Sequence, residues 1–144
     1  MLKNINPLLG PDLIYCLRAM GHGDTIAIVD ANFPATACAD RLIRMDGVSA
    51  TDMLDAILSV MPLDTFVDNP AYRMEVVGDP DQIPDICVEF QKIIDRNTPK
   101  HKQVEKIERH SFYEHAKNSF AIVATGESRL YGNIILIKGV IDPN

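Results

Sequence analysis

Apolar residues along the chain follow two spacings, one helical and one extended. Helical spacing occurs after Pro11, where Leu13, Leu17 and Met20 recur on one face. Short runs of β-branched and apolar residues are instead typical of buried strands. Three such runs stand out: TIAIV at 25–29, SFAIVAT at 119–125 and NIILIK at 133–138. The alternation of the two spacings predicts an α/β protein.

Proline, glycine and capping residues indicate where the predicted helices begin and end. Pro11 fits the first position of a helix, because its missing N–H costs nothing there, and Gly21 fits the position just past the helix end. A capping box at 49–52 predicts the start of a second helix, and Pro84 opens a third. A further capping box at 111–114 predicts that a short helix begins there.

Two weaker patterns, at 73–77 and 103–109, predict further strands. Strands that alternate with helices favour a sheet covered on both faces. The last two strands flank the TGES turn at 125–128, which is compatible with an antiparallel pair, so we expect a mixed sheet. The length of 144 residues suits a single domain spanning 1–144.

Charge and composition narrow the classes of function. The formal net charge is -6, and PKHK at 99–102 is the only local basic cluster, whereas proteins that grip phosphate backbones show a basic face. We therefore expect no nucleic-acid partner. No apolar run approaches the ~20 residues that span a bilayer, and the start of the chain lacks a signal-peptide core. With three scattered cysteines and no disulfide pattern, we expect a cytoplasmic protein without a membrane partner.

His22, within MGHGD at 20–24, is the first candidate for chemistry. It lies just past a predicted helix end, where the partial negative charge favours an imidazolium that can donate a proton. The flanking glycines leave room for a substrate. Two other interpretations stay open. His22 caps the helix by bonding a free carbonyl, or it joins Asp24 and Asp30 in a metal site, although that spacing matches no known metal signature.

Other polar candidates stand near the predicted strands. Asp30 follows a buried run, where carboxylates bind polar ligands or cap turns. Arg109 can fork two hydrogen bonds to a hydroxyl-rich ligand or pair with a surface glutamate. Tyr131 and Asn133 are common contacts in small-molecule sites and also ordinary turn residues. The GxGxxG, P-loop and GxSxG motifs are absent, so nothing favours nucleotide binding or serine hydrolysis.

Several segments together resemble one family. Four motifs carry the resemblance in order: MGHGD at 20–24, DANFP at 30–34, ERHSFYE at 108–114 and YGN at 131–133. Over nearly its whole length the chain resembles the RbsD/FucU family of sugar mutarotases, which comprises fucose mutarotases and ribose pyranases. It is more similar to the fucose branch, because the ribose branch tends to carry histidine in place of Arg109 and alanine in place of Gly132.

The resemblance implies a three-layer α/β/α fold with a mixed, mostly parallel central sheet. It also implies assembly into rings, commonly decamers of two pentamers, with the sugar site at a subunit boundary and no metal or organic cofactor. The family's functional positions fall on six residues: the proton donor on His22, and the sugar-binding positions on Asp30, Arg109, Tyr131, Gly132 and Asn133.

The implied activity is interconversion of the α and β anomers of a free monosaccharide, L-fucose or a related aldose. The ring would open and close with acid–base help from His22, while Asp30 would hold sugar hydroxyls and orient His22. Two alternatives stay open: a monosaccharide-binding or sugar-transport accessory protein without turnover, and a ribose pyranase-type activity. Asn32, where the fucose branch often has histidine, leaves the preferred sugar open.

Overall fold

Strands and helices alternate along the chain in the computed structural model, which describes residues 1–143. The strands are β1 (Thr25–Val29), β2 (Leu42–Met45), β3 (Ala71–Met74), β4 (Val104–Ile107), β5 (Ala121–Thr125) and β6 (Ile134–Ile137). The helices are α1 (Pro11–Ala19), α2 (Ala35–Cys38), α3 (Ala50–Leu58), α4 (Asp85–Asn97) and α5 (Arg109–Lys117).

The six strands form one sheet in the order β2-β5-β1-β6-β3-β4. Strand β6 runs antiparallel to both of its neighbours, and the remaining pairs are parallel. The predicted mixed, mostly parallel sheet is therefore confirmed. The expected pairing of the last two strands is wrong, because residues 126–133 carry the chain past β1, which lies between β5 and β6.

Helices cover both faces of the sheet, which confirms the three-layer fold. On one face, α1, α3 and α4 bury residues such as Leu13, Met53 and Phe90. On the other face, α2 and α5 bury Ala35 and Phe112. Strands β1 and β5 lie in the middle of this arrangement, so both of their faces are covered and nearly every residue in them is buried and apolar.

The start of α5 differs from the prediction. Glu108 is the N-cap, and its carboxylate accepts hydrogen bonds from the backbone N–H groups of His110 (2.8 Å) and Ser111 (3.1 Å). Ser111 therefore lies inside the helix and the capping box at 111–114 is wrong. The glutamate side chain is long enough to reach both donors once β4 has ended at Ile107. As a result, Arg109 is the first residue of the helix.

Other differences concern short elements. Helix α2 and strand β2 were not predicted, because each has only four residues and β2 is mostly half-exposed, so no apolar period shows. Strand β3 occupies 71–74 rather than 73–77. Gly21 follows the C-cap Met20 of α1 as predicted, but the left-handed backbone of this turn belongs to Gly23, with φ of 86°.

Candidate active site

A depression of about 200 Å³ lies at the edge of the sheet where β1 and β3 end and β6 begins. Ligands of open α/β sheets gather outside the carboxyl ends of the parallel strands, which is this edge. Its lining combines polar and apolar side chains. The polar members are Asp30, Asn32, Arg109, Tyr113, Tyr131 and Asn133, and the apolar members are Phe33, Met74, Val77 and Leu130.

A reciprocal pair of hydrogen bonds joins Asp30 to Asn133 at the base of this depression. The Asp30 backbone N–H donates to Asn133 Oδ1 (2.9 Å), and Asn133 Nδ2 donates to Asp30 Oδ2 (2.8 Å). Asp30 Oδ1 also accepts from the Asn32 N–H (3.0 Å). The pair ties the end of β1 to the start of β6, so the two side chains are held in one geometry.

Burial is the main influence on the pKa of Asp30, a residue that is only 5% exposed. It raises the pKa of Asp30 from its ordinary value, while the hydrogen bonds from Asn32 and Asn133 oppose the shift. A carboxylate offers about four lone-pair sites; the Asn32 backbone N–H uses one on Oδ1 and the Asn133 side-chain amide uses one on Oδ2. Asp30 can therefore still accept hydrogen bonds from the hydroxyl groups of a ligand.

Tyr131 and Gly132 shape the wall beside this pair. Tyr131 has a left-handed backbone with φ of 62°, unusual for a bulky residue. Its hydroxyl accepts from the Val77 N–H at 3.1 Å. At Gly132 a Cβ would come within 2.7 Å of Glu127 Cγ and 3.0 Å of Ile86 Cδ1. Close packing therefore accounts for the glycine, and its contact with a sugar stays a prediction.

Arg109 reaches the depression from the start of α5. Its Nε donates to the Tyr113 hydroxyl at 3.2 Å, and its guanidinium carbon lies 5.4 Å from the centre of the Tyr113 ring. The aromatic contact steadies an otherwise exposed side chain. A guanidinium carries five N–H donors, and within residues 1–143 the others have no hydrogen-bond partner. They are available to a hydroxyl-rich ligand.

His22 lies at the opposite edge of the sheet. It precedes the five-residue strand β1, whereas Asp30 follows it. At roughly 3.3 Å per residue, β1 separates the two residues by about 17 Å. His22 therefore does not line the depression of its own chain, and Asp30 cannot orient it there. The metal site considered for His22, Asp24 and Asp30 is excluded by the same separation.

The contacts of His22 also test the interpretation that it caps the end of α1. Lys138 Nζ donates to the terminal carbonyls of α1, those of Leu17 (2.7 Å) and Met20. His22 instead places Nε2 at 3.3 Å from Asp64 Oδ1, and its ring lies 5.4 Å from that of Phe66. The capping interpretation is therefore wrong, because a lysine from the end of β6 takes that role.

Sequence reasoning missed Asp64 and Phe66 beside His22, and Tyr113 beside Arg109. The Tyr113 contact has a local signal, since positions four apart on a helix face each other. The His22–Asp64 contact has none, because 42 residues separate the partners. Among residues 1–143, no group of three or more histidine, cysteine, aspartate or glutamate side chains could hold a metal ion. No helix in that range is long and apolar enough to cross a bilayer.

Comparisons with known proteins find similar proteins over nearly the whole length of this chain. A model of the RbsD / FucU transport protein family matches residues 3–141. The fucose mutarotase of Homo sapiens is 46% identical over 99% of this chain and 96% of its own. The L-fucose mutarotase of Actinobacillus pleuropneumoniae is 40% identical over 97% of both chains.

Solved structures extend the comparison to the fold. The fucose mutarotase of Streptococcus pneumoniae, solved in complex with L-fucose, superposes with a TM-score of 0.91 at 46% identity, over 98% of this chain and all of the other. Bacillus subtilis RbsD, solved with D-ribose, shares the fold with a TM-score of 0.74 at 21% identity. The motifs, the fold and the full-length matches agree: the chain belongs to the RbsD / FucU transport protein family.

Proposed function

We propose that this protein is a sugar mutarotase that interconverts the α and β anomers of L-fucose or a related aldose. The observation that carries the proposal is the depression at the sheet edge, in a chain that matches fucose mutarotases over its full length. Asp30, Arg109 and Asn133 in its lining offer acceptors and donors to hydroxyl groups. Met74 and Leu130 in the same lining offer apolar contacts, which suit the methyl group of a 6-deoxy sugar.

Opening a sugar ring requires a proton at the ring oxygen and the loss of one from the anomeric hydroxyl. As the proton arrives, the bond from C1 to the ring oxygen breaks and C1 becomes a carbonyl carbon. Reclosure on the other face of the carbonyl reverses both transfers, so no proton is consumed. Positioned acid–base groups typically contribute ~10²–10⁴-fold to such steps. Holding the sugar in one pose adds to this by removing its freedom.

We assign the proton donor to His22 of a second copy of the chain. The depression contains no histidine of its own, and His22 projects at the opposite edge with 45% of its side chain exposed. A ring of subunits that sets this edge against a neighbour's depression would complete the site. Asp30, Arg109, Tyr131 and Asn133 then hold the sugar, and the neighbour's histidine acts on its ring oxygen.

Magnetisation-exchange NMR on the anomeric protons of L-fucose and D-ribose tests the activity at equilibrium. We expect the protein to speed exchange between the α and β signals, with L-fucose favoured over D-ribose. Tight sugar binding by calorimetry without faster exchange would select a binding or transport-accessory role instead. A preference for pyranose–furanose exchange of ribose would select the ribose pyranase-type activity.

Mixing two defective variants tests the shared site. We expect H22A and R109A each to be nearly inactive, because one lacks the acid and the other a sugar contact. When they are co-expressed and assemble at random in a symmetric ring, about a quarter of the boundaries pair an intact His22 with an intact Arg109. Anomer exchange by NMR should therefore recover to about that fraction of the wild-type rate.

A mixture no more active than its parents would contradict a site shared between subunits. So would a scattering mass equal to that of the 16.0 kDa chain for an active protein. A useful control is the co-expression of H22A with D30A. About a quarter of its boundaries again pair an intact His22 with an intact depression, so activity should recover to the same extent. Co-expression of R109A with D30A places both defects in the same half-site, and it should recover nothing.

We further propose a cytoplasmic location and one domain for residues 1–144. The cysteines support the first, since all three are unpaired and burial raises the pKa of the Cys87 thiol to about 11, which leaves it unreactive. The second is supported by the single sheet, to which every strand from β1 to β6 belongs. We propose that no cofactor takes part, since the reaction moves only protons.

A further inference from the structure

We propose that Asp64 is a positioning residue for the reaction: its carboxylate holds Nε2 of His22, so that Nδ1 is the nitrogen presented to the sugar. This inference rests on the proposed function, which makes His22 the proton donor. It adds a residue that touches neither the sugar nor the depression, and it names the nitrogen that carries the transferred proton.

The two side chains differ sharply in exposure. Asp64 is only 3% exposed, whereas 45% of the His22 side chain is exposed. Asp64 Oδ1 lies 3.3 Å from His22 Nε2 and also accepts from the Phe66 N–H at 3.0 Å. The Phe66 ring packs against the imidazole at an interplanar angle of 52°. The buried carboxylate and the aromatic ring together hold the imidazole, of which a large part remains exposed.

The end of β6 places Asp64 beside His22. The Asp64 N–H donates to the carbonyl of Ile137 (3.0 Å), and the Gly139 N–H donates to that of Pro62 (2.8 Å). A side chain at position 139 would not fit, because its Cβ would lie 2.6 Å from the Leu63 carbonyl oxygen and 2.7 Å from Asp64 Cα. The glycine therefore lets the segment 62–64 lie directly against β6.

The turn that carries His22 is bound to the same part of β6. The Gly23 N–H donates to the Lys138 carbonyl (2.9 Å), and the Lys138 N–H donates to the Asp24 carbonyl (2.8 Å). Asp24 Oδ2 closes the turn by accepting from the Gly21 N–H (2.7 Å). Both partners of the contact are thus held by backbone hydrogen bonds to residues 137–139, so their side chains meet in a defined position.

This geometry selects one tautomer. A carboxylate that accepts from Nε2–H keeps that proton in place, so the neutral imidazole has its lone pair on Nδ1. When His22 takes up a proton, it does so at Nδ1, and the Nε2–H stays directed at Asp64. That Nδ1 proton passes to the sugar ring oxygen as the bond to C1 breaks, while the anomeric hydroxyl loses its proton to water. On reclosure Nδ1 recovers its proton.

A purely structural role for Asp64 would use only the bond from the Phe66 N–H, which closes a turn. The two roles differ in what happens to the imidazole. Nitrogen-15 NMR of histidine-labelled protein reports the tautomer of His22 directly. For the wild type we expect the neutral ring to carry its proton on Nε2, and for D64A we expect a mixture of both tautomers.

The rate of anomer exchange should also depend on the contact between Asp64 and His22. Loss of orientation by about 1 Å can cost 10²-fold, so we expect D64A to lower the anomer-exchange rate at saturating L-fucose by about 10²-fold. Sugar affinity should change by less than about threefold, because Asp64 contributes nothing to the depression. D64N retains an oxygen acceptor without the charge and should fall between D64A and the wild type. D68A, which removes an exposed carboxylate from the same loop, should match the wild type.

Several outcomes would overturn the inference. D64A with a wild-type exchange rate would do so, as would a slow D64A in which the His22 tautomer is unchanged, or a wild type whose neutral ring is protonated at Nδ1. If D64A does not fold by circular dichroism, D64N carries the same comparisons. A wild type without any exchange would refute the proposed function instead, and the tautomer measurements would still decide whether Asp64 controls His22.

Discussion

Replacing His22 with alanine is expected to slow the exchange of L-fucose anomers by about 10²–10⁴-fold, the usual contribution of a positioned acid–base group. The reason is that the depression of Asp30, Arg109 and Asn133 offers hydrogen-bond partners to hydroxyl groups but contains no imidazole that could protonate a ring oxygen. Magnetisation-exchange NMR measures the rate. Calorimetry should show sugar affinity close to that of the wild type, because the sugar-holding residues are intact.

The matched control is H101A. His101 is likewise exposed and likewise pairs with an aspartate, Asp95, at 2.8 Å, but it follows α4 and does not line the depression. The H101A variant should exchange L-fucose anomers at the wild-type rate. An H22A variant as fast as the wild type would remove His22 from the reaction, whatever the rate of H101A.

Replacing Asp30 with alanine is expected to weaken sugar binding by about 10- to 150-fold, which corresponds to the loss of a hydrogen bond to a charged group. The variant loses the carboxylate that remains able to accept from ligand hydroxyls. It also leaves the buried Asn133 Nδ2 without its acceptor at 2.8 Å, which lowers the free energy of unfolding by about 1–3 kcal/mol. Calorimetry with L-fucose measures the affinity, and urea unfolding measures the stability.

The control for this variant is D81A, which removes a carboxylate that is 93% exposed and pairs with Lys106. Its sugar affinity and stability should both match the wild type. A folded D30A that binds L-fucose as tightly as the wild type would show that the depression is not the sugar site. His22 would then have to act on a sugar that is bound somewhere other than the depression.

The pH dependence of binding provides an independent measure of Asp30. Burial raises the pKa of Asp30 above its ordinary 3.8, so the carboxylate is protonated at a higher pH than a free aspartate. Sugar affinity should therefore fall as the pH drops through this raised pKa. Stability should move the opposite way, because the folded state binds the Asp30 proton more readily than the unfolded state and loses that advantage as the pH rises. Both dependences should be absent in D30A.

The fold could be predicted where residues are buried on both sides. Strands β1, β5 and β6 are short apolar runs in the middle of the sheet, and α1 and α4 carry apolar faces bounded by proline. Elements at the margin of the fold were missed or misplaced. Helix α2 and strand β2 are too short and too exposed for their apolar residues to show a regular spacing. The glutamate N-cap at Glu108 was missed because a local capping box offered a competing signal three residues later.

For the candidate site, the sequence by itself determined which residue types are available and on which side of a strand each one stands. With β1 between them, His22 and Asp30 had to lie at opposite edges, a consequence of extended geometry alone. Only the tertiary structure decided the partners. Asn133 meets Asp30 across 103 residues, and Asp64 meets His22 across 42, because β6 inserts antiparallel between β1 and β3. Strand order arises from packing of the whole sheet, and no local spacing of residues encodes it.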